Sequence, residues 1–145
     1  MGADRDWKLM AQANKPDLYE QFTLLCLDNG KTALQTYHKT EGGRPRYVTP
    51  LGGDFDWQLR AETVEIRAWE EFTLLDVDTG QRRPCSEVIE SLRKDGEATV
   101  AFQTWHTTEG KNRLVTAMDA GWEWALRAET TELLASEKFT MILLP

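Results

Sequence analysis

Residues 57–75 read WQLRAETVEIRAWEEFTLL, and this pattern occurs twice more in the chain without gaps. The other copies occupy residues 7–25 and residues 124–142. Eight columns match across the three copies, among them a tryptophan, a leucine, an alanine, a glutamate and a closing Phe-Thr-apolar-apolar run. A pattern that recurs at this length within one chain indicates a fold built from structural repeats.

Apolar and polar residues alternate at the start of each copy. Trp57, Leu59 and Ala61 are separated by single polar residues, and this period of two is typical of a half-buried β-strand. The intervening polar positions, such as Arg60 and Arg127, are predicted to form a solvated charged face. The Phe-Thr-Leu-Leu runs are short, apolar and followed by turn-forming residues, so they too predict strands.

A second pattern occurs twice, upstream of the last two tryptophan copies. Residues 33–38 read ALQTYH and residues 101–106 read AFQTWH, so each copy carries a histidine at the same repeat position. A full unit is therefore a QTxH half followed by a WxLxA…FTLL half. Counting strands over all units predicts an all-β chain of about ten strands.

One insertion interrupts the repeat. The first two repeated tryptophans lie 50 positions apart and the next two 67, which leaves 17 extra residues within the second interval. The insert, residues 81–97, predicts a short helix over residues 86–94, with Ser86 as its N-cap and Gly96 as its stop. We expect this helix to cover the core, and docking to a partner is the alternative. Residues 1–145 then form one domain with repeat parts at residues 7–30, 31–80 and 98–145.

The bulk composition limits the classes of function. The chain has 145 residues and a net charge of −7, and an acidic chain is repelled by nucleic-acid phosphates and anionic lipids. We therefore expect no nucleic-acid and no membrane partner, and a cytoplasmic location. The two cysteines, Cys26 and Cys85, carry no motif that demands a bridge, so two reduced thiols are predicted.

The repeated units resemble those of fascin-like β-trefoil proteins. The resemblance is fullest over residues 31–75, is repeated over residues 98–142, and covers only the second half of the unit in residues 7–25. The residues that carry it are Thr32-Ala33-Leu34-Gln35-Thr36, Tyr47-Val48-Thr49, Gly52-Gly53, Leu59-Arg60-Ala61 and Trp69-Glu70-Glu71-Phe72-Thr73-Leu74. It implies a β-trefoil-like barrel, and it says little about function because one fold hosts many functions.

The chain departs from that family in its first unit, which lacks the QTxH half. A complete trefoil of this kind would have twelve strands, so about two are missing. An unclosed barrel leaves backbone donors and apolar surface at a strand edge. Three arrangements could cover that edge: the inserted helix, a second copy of the chain paired edge to edge, or another part of a longer protein to which this chain belongs. We expect self-association or a protein partner that completes the barrel.

The sequence contains none of the common catalytic motifs, such as GxSxG, a Walker loop, HExxH or GxGxxG. We therefore predict a protein that is not an enzyme, with no catalytic residues, no metal site and no cofactor. The repeated acids Glu20, Glu70 and Glu137 are predicted to close turns or to pair with basic residues.

The candidate ligand site lies on the two repeated hairpins. Aromatic faces beside amides and imidazoles suit the stacking of a sugar and the binding of its hydroxyl groups, so a glycan or small polar ligand is the leading prediction. Its candidate residues are Gln35, Tyr37, His38, Gln103, Trp105 and His106. For the histidines, a hydrogen bond to the backbone within the hairpin is the structural alternative.

A second hypothesis comes from a different functional class. The resemblance to fascin implies a cytoskeletal, actin-associated or other protein-interaction module. Such a module would act through an open strand edge or through the inserted helix. Actin filaments are acidic and so is this chain, and like charges oppose filament bundling.

Overall fold

The computed structural model describes residues 21–36, 44–52, 57–118 and 126–144. Within these residues the chain forms nine β-strands and a single α-helix, which confirms the predicted all-β class with one helical insert. The helix, α1, spans Cys85–Asp95. The strands are β1 (Phe22–Cys26), β2 (Thr32–Thr36), β3 (Tyr47–Pro50), β4 (Leu59–Thr63), β5 (Thr73–Asp76), β6 (Glu97–Thr108), β7 (Lys111–Ala117), β8 (Leu126–Thr130) and β9 (Phe139–Ile142).

The strands form two antiparallel sheets. One has the order β1-β2-β3-β4, and the other has the order β5-β6-β7-β8 with β9 also paired to β6. The repeats share one register, because Thr23 faces Gln35 across β1 and β2 just as Thr73 faces Gln103 across β5 and β6. The internal repeat of the sequence is therefore a repeat of strand pairing.

A backbone bridge joins the two sheets at Thr32 and Phe72. The amide of each residue donates to the carbonyl of the other, at 2.8 and 2.7 Å. The equivalent contact in the next repeat is the pairing of Val100 with Phe139 across β6 and β9. Through these contacts β1, β2, β5, β6 and β9 form one continuous series of neighbouring strands.

These five strands direct apolar side chains into one core. Leu24, Leu34, Leu74, Phe102 and Met141 each come from a different strand of the series and lie in the same cluster. The rings of Phe72, Phe102 and Phe139 pack edge to face, a favoured geometry for aromatic pairs. The series of strands therefore curves around a common centre, as in a barrel wall.

Helix α1 closes one end of this core. Its buried residues Val88 and Leu92 belong to the same cluster, so the inserted helix covers the core as expected. Gly96 ends it in the left-handed conformation at φ 78°, as predicted. The predicted Ser86 cap is wrong, because the helix starts at Cys85 after Pro84 and has no side-chain cap.

The two cysteines are not reduced thiols. Cys26, at the end of β1, and Cys85, at the start of α1, form a disulfide with their Cα atoms 5.6 Å apart. Their sequence separation of 59 gives no hint of this proximity. The bridge forms because the inserted helix returns from β5 across the end of the core to β1.

The predicted solvated face of the tryptophan strands is also wrong for Arg127, which is buried. Its Nη1 atom lies 3.3 Å from a carboxylate oxygen of Glu129. Gln58 forms a bridge with Arg127, and the amide of Ala128 donates to the carbonyl of Trp57 at 2.7 Å. This contact between the β4 and β8 regions covers a face that alternation alone assigns to solvent.

The repeated glutamates close turns, as predicted. The Oε1 atom of Glu70 accepts a bond from the amide of Arg67 at 2.8 Å, and Glu137 makes the same bond with Leu134. Both acids are buried at the ends of short 3-10 turns. Glu20, like the first and third repeated tryptophans, lies outside the described residues.

The described strands do not close into a barrel, and the trefoil arrangement stays a prediction. No helix within the described ranges is long and apolar enough to cross a membrane. The division of the chain into repeat parts within a single domain stays a prediction.

Candidate functional site

Strand β6 carries the second QTxH pattern, and its pairing with β7 is irregular between Gln103 and Thr107. Thr104 and His106 are buried, and Trp105 between them is 50 % exposed. Successive side chains of a regular strand point to opposite faces. Here the ring centroids of Trp105 and His106 lie only 5.9 Å apart, so the irregularity brings the two rings together.

Three tryptophans surround the His106 ring, and we call these four residues the aromatic cluster. The ring centroids of Trp57, Trp69 and Trp105 lie 5.6, 4.8 and 5.9 Å from that of His106. The centroids of Trp69 and Trp105 are 6.3 Å apart, with their planes tilted by 33°. Trp69 is 41 % exposed, so these two indoles form an exposed aromatic surface above a buried imidazole.

A hydrogen bond to the backbone holds the imidazole in place. The Nε2 atom of His106 lies 2.9 Å from the carbonyl oxygen of Pro50, at the end of β3. Since a carbonyl only accepts, Nε2 carries the proton in this bond. The predicted hydrogen bond from this histidine to the backbone is therefore present. Its acceptor lies on β3 in the other sheet and not within the hairpin.

Arg113 supports the inner side of the cluster. Its guanidinium carbon lies 4.0 Å from the centroid of the Trp57 ring, within the range of a cation–π contact. It also donates to the carbonyl oxygens of Ala128 and Glu129. Burial lowers the pKa of Arg113, yet an arginine stays protonated at neutral pH.

The backbone of Trp57 is unusual. Its φ of 58° lies in the left-handed region, which bulky residues rarely adopt. The amide of Trp57 donates to the carbonyl of Gly52 at 3.1 Å, and its own carbonyl accepts the bond from Ala128. Such strain persists only where surrounding contacts hold it, and it is frequent at functional sites.

Polar groups border the aromatic surface. Gln103 is half-buried on β6, and the exposed residues Thr107, Thr108 and Glu109 follow Trp105 into the hairpin turn. Asn112 donates to the carbonyl of Thr104 at 3.0 Å, so its amide rigidifies the hairpin. The hydroxyl of Thr108 accepts a bond from Arg113, which ties this turn to the support of the cluster.

The structure brings together only part of the predicted site. Gln103, Trp105 and His106 share β6, whereas Gln35 lies on β2 in the other sheet, with its side-chain amide 3.5 Å from the hydroxyl of Tyr47. Tyr37 and His38 lie outside the described residues. The structure therefore describes the candidate residues of the second hairpin, and of the first hairpin it describes only Gln35.

Sequence reasoning left Trp69 out of the candidate site. A signal for it existed, because its repeat column holds Tyr19, Trp69 and Ser136, and a column that accepts serine indicates exposure. The sequence could not show that Trp69 meets Trp105, since they lie on different repeats.

No cluster of three or more potential metal ligands occurs among the residues that the structure describes. No protein-family model matches the chain, and a search of the curated proteins found no match either.

Proposed function

We propose that this chain is a non-enzymatic binding module with a β-trefoil-like fold, and that it binds a glycan or small polar ligand on the Trp69–Trp105 surface. The observation that carries the proposal is the pair of half-exposed indoles held over His106. The β-trefoil-like fold in this proposal is supported by the repeated strand register and by the core that five strands share.

The geometry suits a sugar ring. Indole faces carry partial negative charge, and the C–H groups on one side of a pyranose carry partial positive charge. A sugar can therefore lie on Trp105 while its hydroxyl groups reach Gln103, Thr107 or Glu109. Small-ligand sites commonly combine aromatic walls with a few polar groups that fix orientation.

The aromatic surface is also preorganised. His106 is bonded to Pro50, and Arg113 packs on Trp57, so both supports of the exposed indoles have fixed positions. A site that is rigid before binding loses less conformational entropy when the ligand arrives.

A protein-interaction role is the second candidate, and one observation favours it. Among the described strands, β1 pairs only with β2 and β9 only with β6, and the apolar residues Phe22 and Ile142 on them are exposed, which supports an interaction through a strand edge. Docking through the apolar face of α1 gains no such support, because Val88 and Leu92 are buried in the core.

The location in the cell stays a prediction. The disulfide of Cys26 and Cys85 counts against the expected cytoplasmic location, because structural disulfides persist mainly in oxidising compartments.

A glycan array with the purified chain tests the proposal. We expect a specific sugar signal that Trp105→Ala and Trp69→Ala each reduce by about tenfold or more. Leu134→Ala removes a large exposed apolar side chain outside the aromatic cluster and should keep the signal. A clean array, or a signal that both tryptophan variants retain, would contradict glycan binding at this surface.

A further inference from the structure

The three Phe-Thr-apolar-apolar strands have the same sequence pattern and different exposure. In β5 and the residue before it, Phe72 is fully buried and Leu75 is 7 % exposed. In β1 the equivalent of Phe72, Phe22, is 38 % exposed, and in β9 the equivalent of Leu75, Ile142, is 61 % exposed. Since the side chains are alike, the difference lies in what surrounds each strand.

The neighbours of these strands explain the difference. The middle copy lies between two QT strands, because Phe72 bridges to Thr32 of β2 and Thr73 pairs with Gln103 of β6. Each of the outer copies pairs with one QT strand, β1 with β2 and β9 with β6. Across the described residues, no strand pairs with the other edge of β1 or of β9.

These two edges belong to one wall. Leu24 of β1 and Met141 of β9 pack in the same core as the strands between them. Helix α1 is tied to β1 through Cys85 and to the residue after β9 through the bond from Leu143 to Gly96 at 2.9 Å.

We propose that the gap between β1 and β9 accepts one extended β-strand from another polypeptide. Strands β2 and β6 occupy the equivalent positions in the other repeats, and their residues define the chemistry of the incoming strand. It lies antiparallel to both neighbours, as β2 and β6 do. The incoming strand carries small residues at the positions equivalent to Ala33 and Ala101, both of which are fully buried. It is uncharged, because β1 and β9 contain no charged residue that could pair with a charge.

A partner strand fits the gap better than a second copy of this chain. Edge pairing of two copies would satisfy one edge of each chain and leave the other edge exposed. The strands that have the required pattern, β2 and β6, are already paired on both sides. Two copies with a net charge of −7 each also repel one another.

The probe is a capped synthetic peptide with the sequence of residues 98–104, ATVAFQT, labelled with a dye. The control peptide carries Phe102→Pro, which removes a backbone N–H that a strand needs. Fluorescence anisotropy measures binding, and hydrogen exchange reports whether the amides of β1 and β9 become protected.

The chain offers a matched pair of variants. Ile142 and Leu134 are both 61 % exposed, and only Ile142 lies on an edge strand of the gap. Ile142→Lys should weaken peptide binding by about tenfold, and Leu134→Lys by less than about twofold. Circular dichroism of both variants establishes that each is folded before binding is compared.

Saturable binding of ATVAFQT, with protection of both β1 and β9 and no binding of the proline peptide, supports strand acceptance. The proposal is overturned if ATVAFQT does not bind, if the proline peptide binds equally, or if Leu134→Lys weakens binding as much as Ile142→Lys. A dimer in sedimentation experiments that Ile142→Lys dissociates would also overturn it, in favour of pairing between copies.

Discussion

The imidazole of His106 donates a hydrogen bond across the two sheets to the carbonyl oxygen of Pro50, 56 residues earlier in the chain, at 2.9 Å. This bond places His106 beneath the indoles of Trp69 and Trp105 and within contact of Trp57. The exposed surface of the site thus depends on a buried contact between repeats.

His106→Ala should lower the free energy of unfolding by about 1–3 kcal/mol, because it leaves the buried Pro50 carbonyl without its donor. Urea denaturation followed by tryptophan fluorescence measures the change. Thr107→Ala, at the exposed neighbouring position, is the control and should change stability by less than about 0.5 kcal/mol. Equal losses in the two variants would show that the bond to Pro50 does not stabilise the fold.

Removal of the disulfide should destabilise the chain substantially. The bridge closes a loop across a separation of 59 residues, and a disulfide of this kind contributes about 2–4 kcal/mol by restricting the unfolded chain. The double variant Cys26→Ser with Cys85→Ser should unfold at a lower urea concentration than the oxidised protein. The reduced wild type should match the double variant, and an unchanged midpoint after reduction would contradict the prediction.

Acid should destabilise the protein partly through Asp76. The backbone amides of Asp78 and Thr79 donate to its Oδ1 atom at 2.8 and 3.0 Å, and these bonds hold the pKa of Asp76 below its ordinary value. A carboxylate with a lowered folded-state pKa stabilises the fold above its unfolded pKa, and this contribution is lost as the pH falls through the folded pKa.

Asp76→Asn should therefore flatten the loss of stability as the pH falls below about 4, the ordinary range of an aspartate pKa. Urea midpoints at a series of pH values from neutral to acid measure the slope. An acid slope identical to that of the wild type would rule out a contribution from this turn.

Gly30 and Gly80 occupy equivalent positions in two repeats, and a comparison of their alanine variants distinguishes backbone strain from steric crowding. Gly30 and Gly80 both have positive φ, at 82° and 73°, and alanine in this conformation costs about 1–2 kcal/mol. A Cβ atom at Gly30 would lie 2.1 Å from a guanidinium nitrogen of Arg82, while at Gly80 it would meet nothing within 4 Å.

Gly30→Ala should therefore destabilise the chain more than Gly80→Ala. The substitution displaces Arg82 from its bond to the carbonyl of Asn29 at 3.1 Å, a contact that fixes the β1–β2 turn against the second repeat. Thermal unfolding of both variants compares them directly. Equal losses would indicate that Arg82 moves away at no cost.

Local patterns predicted the parts of the fold that depend on neighbouring residues. Period-two alternation placed β4 and β8, and an apolar stripe followed by Gly96 placed α1. The same reasoning failed for Arg127, because strand alternation cannot show that another segment covers the outer face. It also failed for Ser86, because the chain enters the helix from Pro84 one residue earlier.

In the candidate site too, sequence patterns predicted what depends on neighbouring residues and missed what depends on distant contacts. Trp105 and His106 were predicted because they repeat an earlier hairpin, whereas Trp69 was missed because its role depends on a neighbour from another repeat. Whether the first hairpin forms an equivalent site stays a prediction, since Tyr37 and His38 lie outside the described residues.

The sequence by itself determined the repeats, the strand periodicity and the inserted helix, because each depends on contacts a few residues apart. Only the tertiary structure decided that Cys26 meets Cys85, that His106 meets Pro50 and that Trp69 meets Trp105. These pairs form when sheets and helix pack around one core, and packing between distant segments is set by the shape of the whole chain.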